Sequence, residues 1–195
     1  MLPQTVEKQD TLFTWADYRT WPDDERWELI AGVAYAMSPA PSTKHQSVGA
    51  RLYSRLERGL EGKSCKPFIA PTDVKLSDLD VVQPDILVVC DPTHITSTHI
   101  EGAPDLVIEV LSPATAARDL RQKKALYERA GVREYLVVDP LEKYAIRFLL
   151  GTNGFDKGTV FAADELLVIA ILESLEIFLW EVFEVEGPQD KTGAG

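Results

Sequence analysis

The second half of the chain alternates between short apolar runs and polar or proline-bearing breaks. It reads VVQPDILVVC, a Thr- and His-rich stretch, APDLVIEVLSP, ARDLRQKKALYERAGV and REYLVVDP. Apolar runs of this length, bounded by turn residues, are strands with both faces covered. Upstream, residues 14–21 form a short helix ended by Pro22, and 27–30 with 33–37 form a hairpin about Ala31-Gly32. After a loop at 38–41, Ser42 or Thr43 caps a helix to about residue 60, with Val48, Leu52, Leu56 and Leu60 at helical spacing. Three strands follow at 67–76, 81–90 and 104–111, with a mobile loop expected at 91–102. A helix at 116–130 closes on Gly131, and strands follow at 134–138 and 144–150. Residues 160–183 stay open between strand and helix. Residues 1–10 and 187–195 read as flexible ends. The order from residue 42, helix, three strands, helix, strand, implies an α/β (α+β) fold, a mixed central sheet flanked by helices, with the N-terminal hairpin added. Residues 11–183 read as one domain.

Two of the apolar runs carry an acid, Asp85 and Glu109. A carboxylate in such a strand is costly unless it is paired, hydrogen-bonded or on a metal. Val107 and Leu111 share the face of Glu109. Pro84-Asp85 also reads as a turn cap. At ~100° per residue, Ala116, Leu120, Leu126, Tyr127 and Ala130 make one helix stripe. Lys123 falls near its centre, so it must reach a partner, and the carboxylates are the candidates. Its alternative is a structural ion pair to Glu109. Lys124 lies on the flank, towards solvent or phosphate. Glu28 sits in the first hairpin strand, either as a further acid or half-exposed. His45, near a helix N-terminus, could approach a phosphate or a catalytic water, or serve as a cap. Asp119 reads as a helix N-terminal acid. Two acids and a lysine converging from neighbouring elements point to a metal-dependent hydrolytic site.

Composition changes this picture little, but charge changes it more. The hydrophobic content of 45% is that of a globular protein. A net charge of −11 opposes nucleic-acid binding until its distribution is read. Residues 44–75 hold seven basic and three acidic side chains and 118–133 hold six and two, so these segments carry +8. Both fall on helices expected beside the acids. Cys65 and Cys90 show neither metal-ligand spacing nor a disulfide framework and read as buried free thiols. No secretory signal or membrane span is legible, because Glu173, Glu176 and Glu181 interrupt the apolar run at 166–183. A cytoplasmic protein is expected, and that run suggests a homodimer.

The order of elements, with Pro84-Asp85 and Glu109 in successive strands, resembles the PD-(D/E)xK nuclease superfamily. The segments WELIAG, VVQPDILVV, EGAPDLVIEVLSP and RDLRQKKALYERAGVREYLVVDP are similar to its bacterial restriction-endonuclease-like family, across residues 11–183. Leu111 stands where the superfamily pattern has lysine. The resemblance implies a lysine supplied instead from the next helix, at Lys123. It further implies Asp85 and Glu109 as ligands of Mg²⁺ or Mn²⁺, the main-chain carbonyl of Val110 as a third ligand, and Glu28 as an added catalytic acid. Lys44, His45 and Lys124 become candidate phosphate or substrate contacts. The implied activity is a metal-dependent nuclease, a DNA endonuclease acting on duplex. The alternative is an inactive nuclease-fold module that binds nucleic acid or a protein partner.

Overall fold

Local chemistry accounts for the first elements of the computed structural model, which describes residues 12–22, 24–37, 40–113, 115–173 and 175–188. Most of the two flexible ends expected from sequence therefore lies outside the described residues. Thr14 starts α1 (Trp15–Tyr18) with a reciprocal capping box to Asp17. β1 (Trp27–Ile30) and β2 (Val33–Ala36) form the expected hairpin. Ala31 and Gly32 both take positive φ, 51° and 76°, the two-residue turn that follows strand twist. Ser42 caps α2 (Thr43–Gly59) by accepting the His45 N–H, and α2 buries Val48, Leu52 and Leu56 on one stripe.

The next two expected strands each divide in two. Residues 67–76 become β3 (Lys66–Ile69) and β4 (Val74–Ser77). Residues 81–90 become β5 (Asp80–Val82) and β6 (Ile86–Val89). The breaks fall at Pro71 and Pro84, which have no N–H to give a ladder. At each break the chain changes sheet. β7 (Ile100–Glu101) pairs parallel with β4, and an Ile95–Ile100 bridge closes its own loop, so the loop expected to be mobile is tied into a sheet. β8 (Leu106–Val110) is the third expected strand.

The helix expected at 116–130 is not uniform. α3 (Ala116–Arg118) passes into a π-helical segment (Asp119–Lys123) and then α4 (Lys124–Ala130), which ends on Gly131 at φ 90°. β9 (Glu134–Asp139) and β10 (Tyr144–Gly151) follow, then β11 (Gly154–Phe155) and β12 (Thr159–Ala162). The region left open by sequence is mostly strand: β13 (Leu166–Ile169) and β14 (Leu175–Phe178) form a hairpin before α5 (Leu179–Phe183).

A central sheet runs β11-β10-β9-β8-β6-β3, with β12 on β10, and is mixed because β8 and β9 are parallel. A second sheet runs β2-β1-β5-β4-β7. One face of the central sheet packs on α2, the β13–β14 hairpin and α5 through Leu52, Leu56, Ile108, Leu167, Ile177 and Phe183. Much of the apolar run that suggested a dimer thus packs into the chain's own core, while Phe178 stays exposed. The opposite face packs on α4 and the second sheet through Leu87, Val107, Leu126, Tyr135, Val74 and Val82.

Cys65 and Cys90 are joined in a disulfide, which overturns their reading as free thiols. They lie one step beyond the paired residues Lys66 and Val89, so antiparallel register sets them face to face. A separation of 25 residues in sequence carries no sign of that register.

Candidate active site

The two sheets meet where the chain leaves β5 for β6, and Asp85 stands at that crossing. Its Oδ2 accepts the Val110 N–H at 2.8 Å and lies 3.3 Å from His45 Nε2. Asp85 thereby ties the end of β8 to the first turn of α2. Glu109 projects from β8 on the face of Val107 and Leu111 and is 3% exposed. Glu28 comes from β1 in the second sheet and is 2% exposed. Lys123, on the π-helical segment, reaches between them. Its Nζ lies 2.8 Å from Glu28 Oε1, 2.9 Å from Glu109 Oε1 and 3.8 Å from Asp119 Oδ1. Tyr127 donates its hydroxyl to Glu109 Oε1 at 2.7 Å, and Gln83 gives its backbone N–H to Glu28.

Asp85, Glu109, Lys123, Glu28 and His45 therefore form one cluster, with Val110 in it through its backbone. Sequence reading missed two members. Asp119 stands in the first turn of the π-helical segment, as a helix N-terminal acid should, but it is also buried and its Oδ1 has no hydrogen-bond partner. The wheel that found Lys123 puts Asp119 only ~40° away, so the signal was there. Tyr127 was counted only as an apolar stripe residue. Its hydroxyl, buried, needs an acceptor and finds Glu109.

Burial drives the Glu109 carboxyl well above the ordinary carboxylate range. Lys123 opposes the rise, while Asp119, Asp85 and Glu28 add to it. Burial likewise raises Asp119 against the pull of Lys123 and Thr115. Burial works against the Lys123 ammonium, but Glu109, Glu28 and Asp119 outweigh it and hold its pKa well above normal. His45 shows the same contest. Burial disfavours its charged form, yet Asp85 and the Val110 carbonyl raise its pKa from 6.5. Four carboxyls thus surround one ammonium and one imidazole, and the surplus negative charge is what a proton or a cation would relieve.

The Uma2 family, described as "Putative restriction endonuclease", matches residues 15–179. The chain belongs to this family. An uncharacterized protein of Synechocystis is 34% identical over 128 residues, which is 63% of this chain and 66%, just under two thirds, of that relative. A crystal structure titled as a putative nuclease belonging to DUF820 from Anabaena variabilis superposes with a TM-score of 0.74. It is 19% identical and covers 88% of this chain and 98% of its own. That likeness shows a restriction-endonuclease-like fold.

Within this Uma2 chain the expected phosphate contacts fare unequally. Lys44 is exposed in the first turn of α2. Lys124 instead holds its ammonium 4.6 Å from the Phe148 ring and 5.7 Å from the Phe155 ring, a cation–π contact. Much of the basic charge counted from sequence pairs internally: Arg51 with Glu184, Arg55 with Glu181, Arg129 with Asp80 and Arg133 with Asp105.

The donor chemistry fits a hard divalent cation. Asp85 and Glu109 offer oxygen donors from adjacent elements, carboxylates outnumber cations, and an oxygen of Asp119 is buried without a hydrogen bond. The ligand set is not preformed as a multi-residue cage. Among the described residues no group of three or more His, Cys, Asp or Glu stands ready to hold a metal. Also among the described residues, no helix is long and apolar enough to cross a membrane.

Proposed function

We propose that this Uma2-family chain is a nuclease that hydrolyses phosphodiester bonds, with DNA as its substrate and Asp85, Glu109 and Lys123 as its centre. The observation that carries this reading is the surplus of buried carboxyls gathered around Lys123 at the seam of the two sheets. Such a cluster is a poor stability device, and it suits a divalent cation that keeps waters and takes further oxygens from a phosphate. Asp85 and Glu109 would hold Mg²⁺ or Mn²⁺, with the Val110 carbonyl as a further oxygen. Bound there, the ion would supply charge neutralisation at the phosphate and a more acidic water. Lys123 contributes a fixed positive charge where negative charge develops. Glu28 aims that ammonium, and Tyr127 fixes the Glu109 carboxylate. His45, held by Asp85, stands at the α2 end of the cluster as a proton donor.

A second reading is a nuclease-fold module that binds nucleic acid without cutting it. It is favoured by the closure of the cluster on itself: Lys123 already occupies Glu28 and Glu109, and no group of three metal-ligating side chains is assembled among the described residues. One experiment separates the two. Plasmid and labelled single- and double-stranded oligonucleotides are incubated with Mg²⁺ or Mn²⁺ and the native chain, Asp85→Asn or Glu109→Gln, with Mn²⁺ binding followed by calorimetry. The nuclease reading expects cleavage and Mn²⁺ binding by the native chain, both lost in variants whose circular dichroism is unchanged. Binding of nucleic acid without cleavage under any of these conditions selects the module. Absence of binding even at low salt overturns both.

A further inference from the structure

Away from the acids, three of the chain's four tryptophans converge on one concavity. Trp15, Trp21 and Trp27, with Tyr18, wall a cavity of about 350 Å³. Trp15 stacks on Tyr18 with centroids 5.6 Å apart, and Trp21 meets Tyr18 at 5.5 Å and Trp27 at 5.6 Å. A second cavity of about 290 Å³, under the loop at 95–100, shares Pro71, Asp73, Gln83 and Thr98 with the first, so the two make one groove. The floor is polar and ordered. Tyr18 donates its hydroxyl to Asp73 at 2.8 Å, the Gln83 amide donates to the same oxygen at 2.8 Å, and Arg26 donates to Gln83 Oε1 at 2.7 Å. The backbone N–H of that Gln83 goes to Glu28 Oε1 at 3.1 Å, and Glu28 holds Lys123. One residue links the aromatic groove to the acidic cluster.

We propose that this groove is a nucleobase subsite. It takes an unstacked base of a single-stranded or locally opened nucleic acid whose backbone passes the Glu28–Lys123 cluster. The proposal rests on nucleic acid being the ligand of that cluster, whether or not the chain cuts it. The chemistry of the groove matches the guest. Half-buried indole and phenol rings wall the cavity, with His99 4.8 Å from Trp15, and aromatic rings are what a base stacks on, while amide, hydroxyl and carboxylate groups line the edge. Arg19 and Arg26 are exposed beside the tryptophans, Arg19 with its guanidinium 6.0 Å from the Trp15 ring, and give positive charge where phosphates pass in a chain of net charge −11. An alkylammonium guest also suits tryptophan walls. It would meet those two guanidinium groups, and the nearby acids already have donors: Glu25 takes the Trp27 indole N–H at 2.9 Å, and Asp73 takes Tyr18 and Gln83.

The test uses the full chain at low salt with a chelator, so that binding is read without cleavage. Tryptophan emission and the anisotropy of a labelled strand are followed for a short oligothymidylate and for an abasic strand of equal length. The base-bearing strand is expected to quench emission and to bind about ten-fold tighter than the abasic strand. Trp15→Leu, folded by circular dichroism, is expected to abolish that preference. Should Trp15→Leu not fold, the comparison of the two strands on the native chain decides alone. Equal affinity for both strands, no binding of either, or quenching by tetramethylammonium but not by the oligonucleotide overturns the subsite. Base preference in chelator with no cleavage in any metal supports the subsite and removes the nuclease. Cleavage of duplex without base preference removes the subsite and leaves the nuclease.

Discussion

Replacing Lys123 by methionine tests the electrostatics of the cluster directly. The side chain is 5% exposed and its ammonium lies within 3 Å of two carboxylates that are themselves almost wholly buried. Methionine keeps most of the volume, so packing loss stays below about 1.5 kcal/mol. The larger cost is the charge left behind, and removing one partner of a buried pair destabilises by about 3–5 kcal/mol. That cost depends on pH in a definite direction. A carboxyl whose folded pKa lies above its ordinary 4.5, as for Glu109, contributes stability that is complete below 4.5 and is lost as pH rises through the folded value. The Lys123 ammonium pulls the Glu109 pKa down against burial and the neighbouring acids. In Lys123→Met the folded value therefore climbs further, so a falling pH relieves more of the cost by protonating the carboxyl. Urea unfolding at about pH 8 and about pH 5.5 should then differ. With a slope of about 2 kcal/mol per molar urea, the midpoint should fall by roughly 2 M at the higher pH and by well under 1 M at the lower. Equal falls at the two pH values would refute the reasoning, since a packing defect has no reason to titrate.

Three further outcomes follow from other parts of the structure. The His45 ring should titrate above 6.5 by nuclear magnetic resonance and drop below it in Asp85→Asn, where burial acts with less opposition. The sign for stability is that a raised histidine contributes fully below 6.5 and loses that contribution as pH rises through its folded value, so a native value at or below 6.5 contradicts the geometry. Reducing Cys65–Cys90, which closes a loop of 25 residues, should lower thermal stability by ~3.5 kcal/mol on the chain-entropy relation, read by calorimetry with and without reductant. Leu52→Ala, fully buried between α2 and the central sheet, should cost about 2–5 kcal/mol in chemical denaturation, against under about 0.5 for Leu141→Ala, which is 55% exposed.

Much of the fold was legible because it is written in periodicity. Alternation and apolar runs gave the hairpin at Ala31-Gly32, the stripe of α2 and the strand of Glu109. Each depends on near neighbours. What was not legible depends on register between distant segments. Pro71 and Pro84 lie inside the expected strands at 67–76 and 81–90, and nothing local says that the chain changes sheet at each, so β3 with β4, and β5 with β6, read as single strands. The pairing of Cys65 with Cys90 is hidden for the same reason. The π-helical segment has no sequence mark, and an ideal wheel still found Lys123 because that residue directly precedes the regular α4 and keeps its angle to Tyr127. Asp119 was read only as a helix N-terminal acid, which it is, although its angle also placed it beside Lys123.

The same reasoning bears on the proposed role of the cluster. Buried ions are weak sources of stability, and well-packed apolar side chains of similar volume would serve the seam of two sheets at least as well. Yet Glu28, Glu109, Asp119 and Lys123 all sit there at 4% exposure or less, brought by β1, β8 and the π-helical segment. Folding alone gives no account of the surplus negative charge, and the proposed nuclease would give it one, since carboxylates held beside a fixed ammonium suit a phosphate's developing charge. The position agrees with this. A seam between sheets is where a chain can converge acids from both without interrupting either ladder, and a hydrogen bond from Gln83 to Glu28 joins it to the aromatic groove.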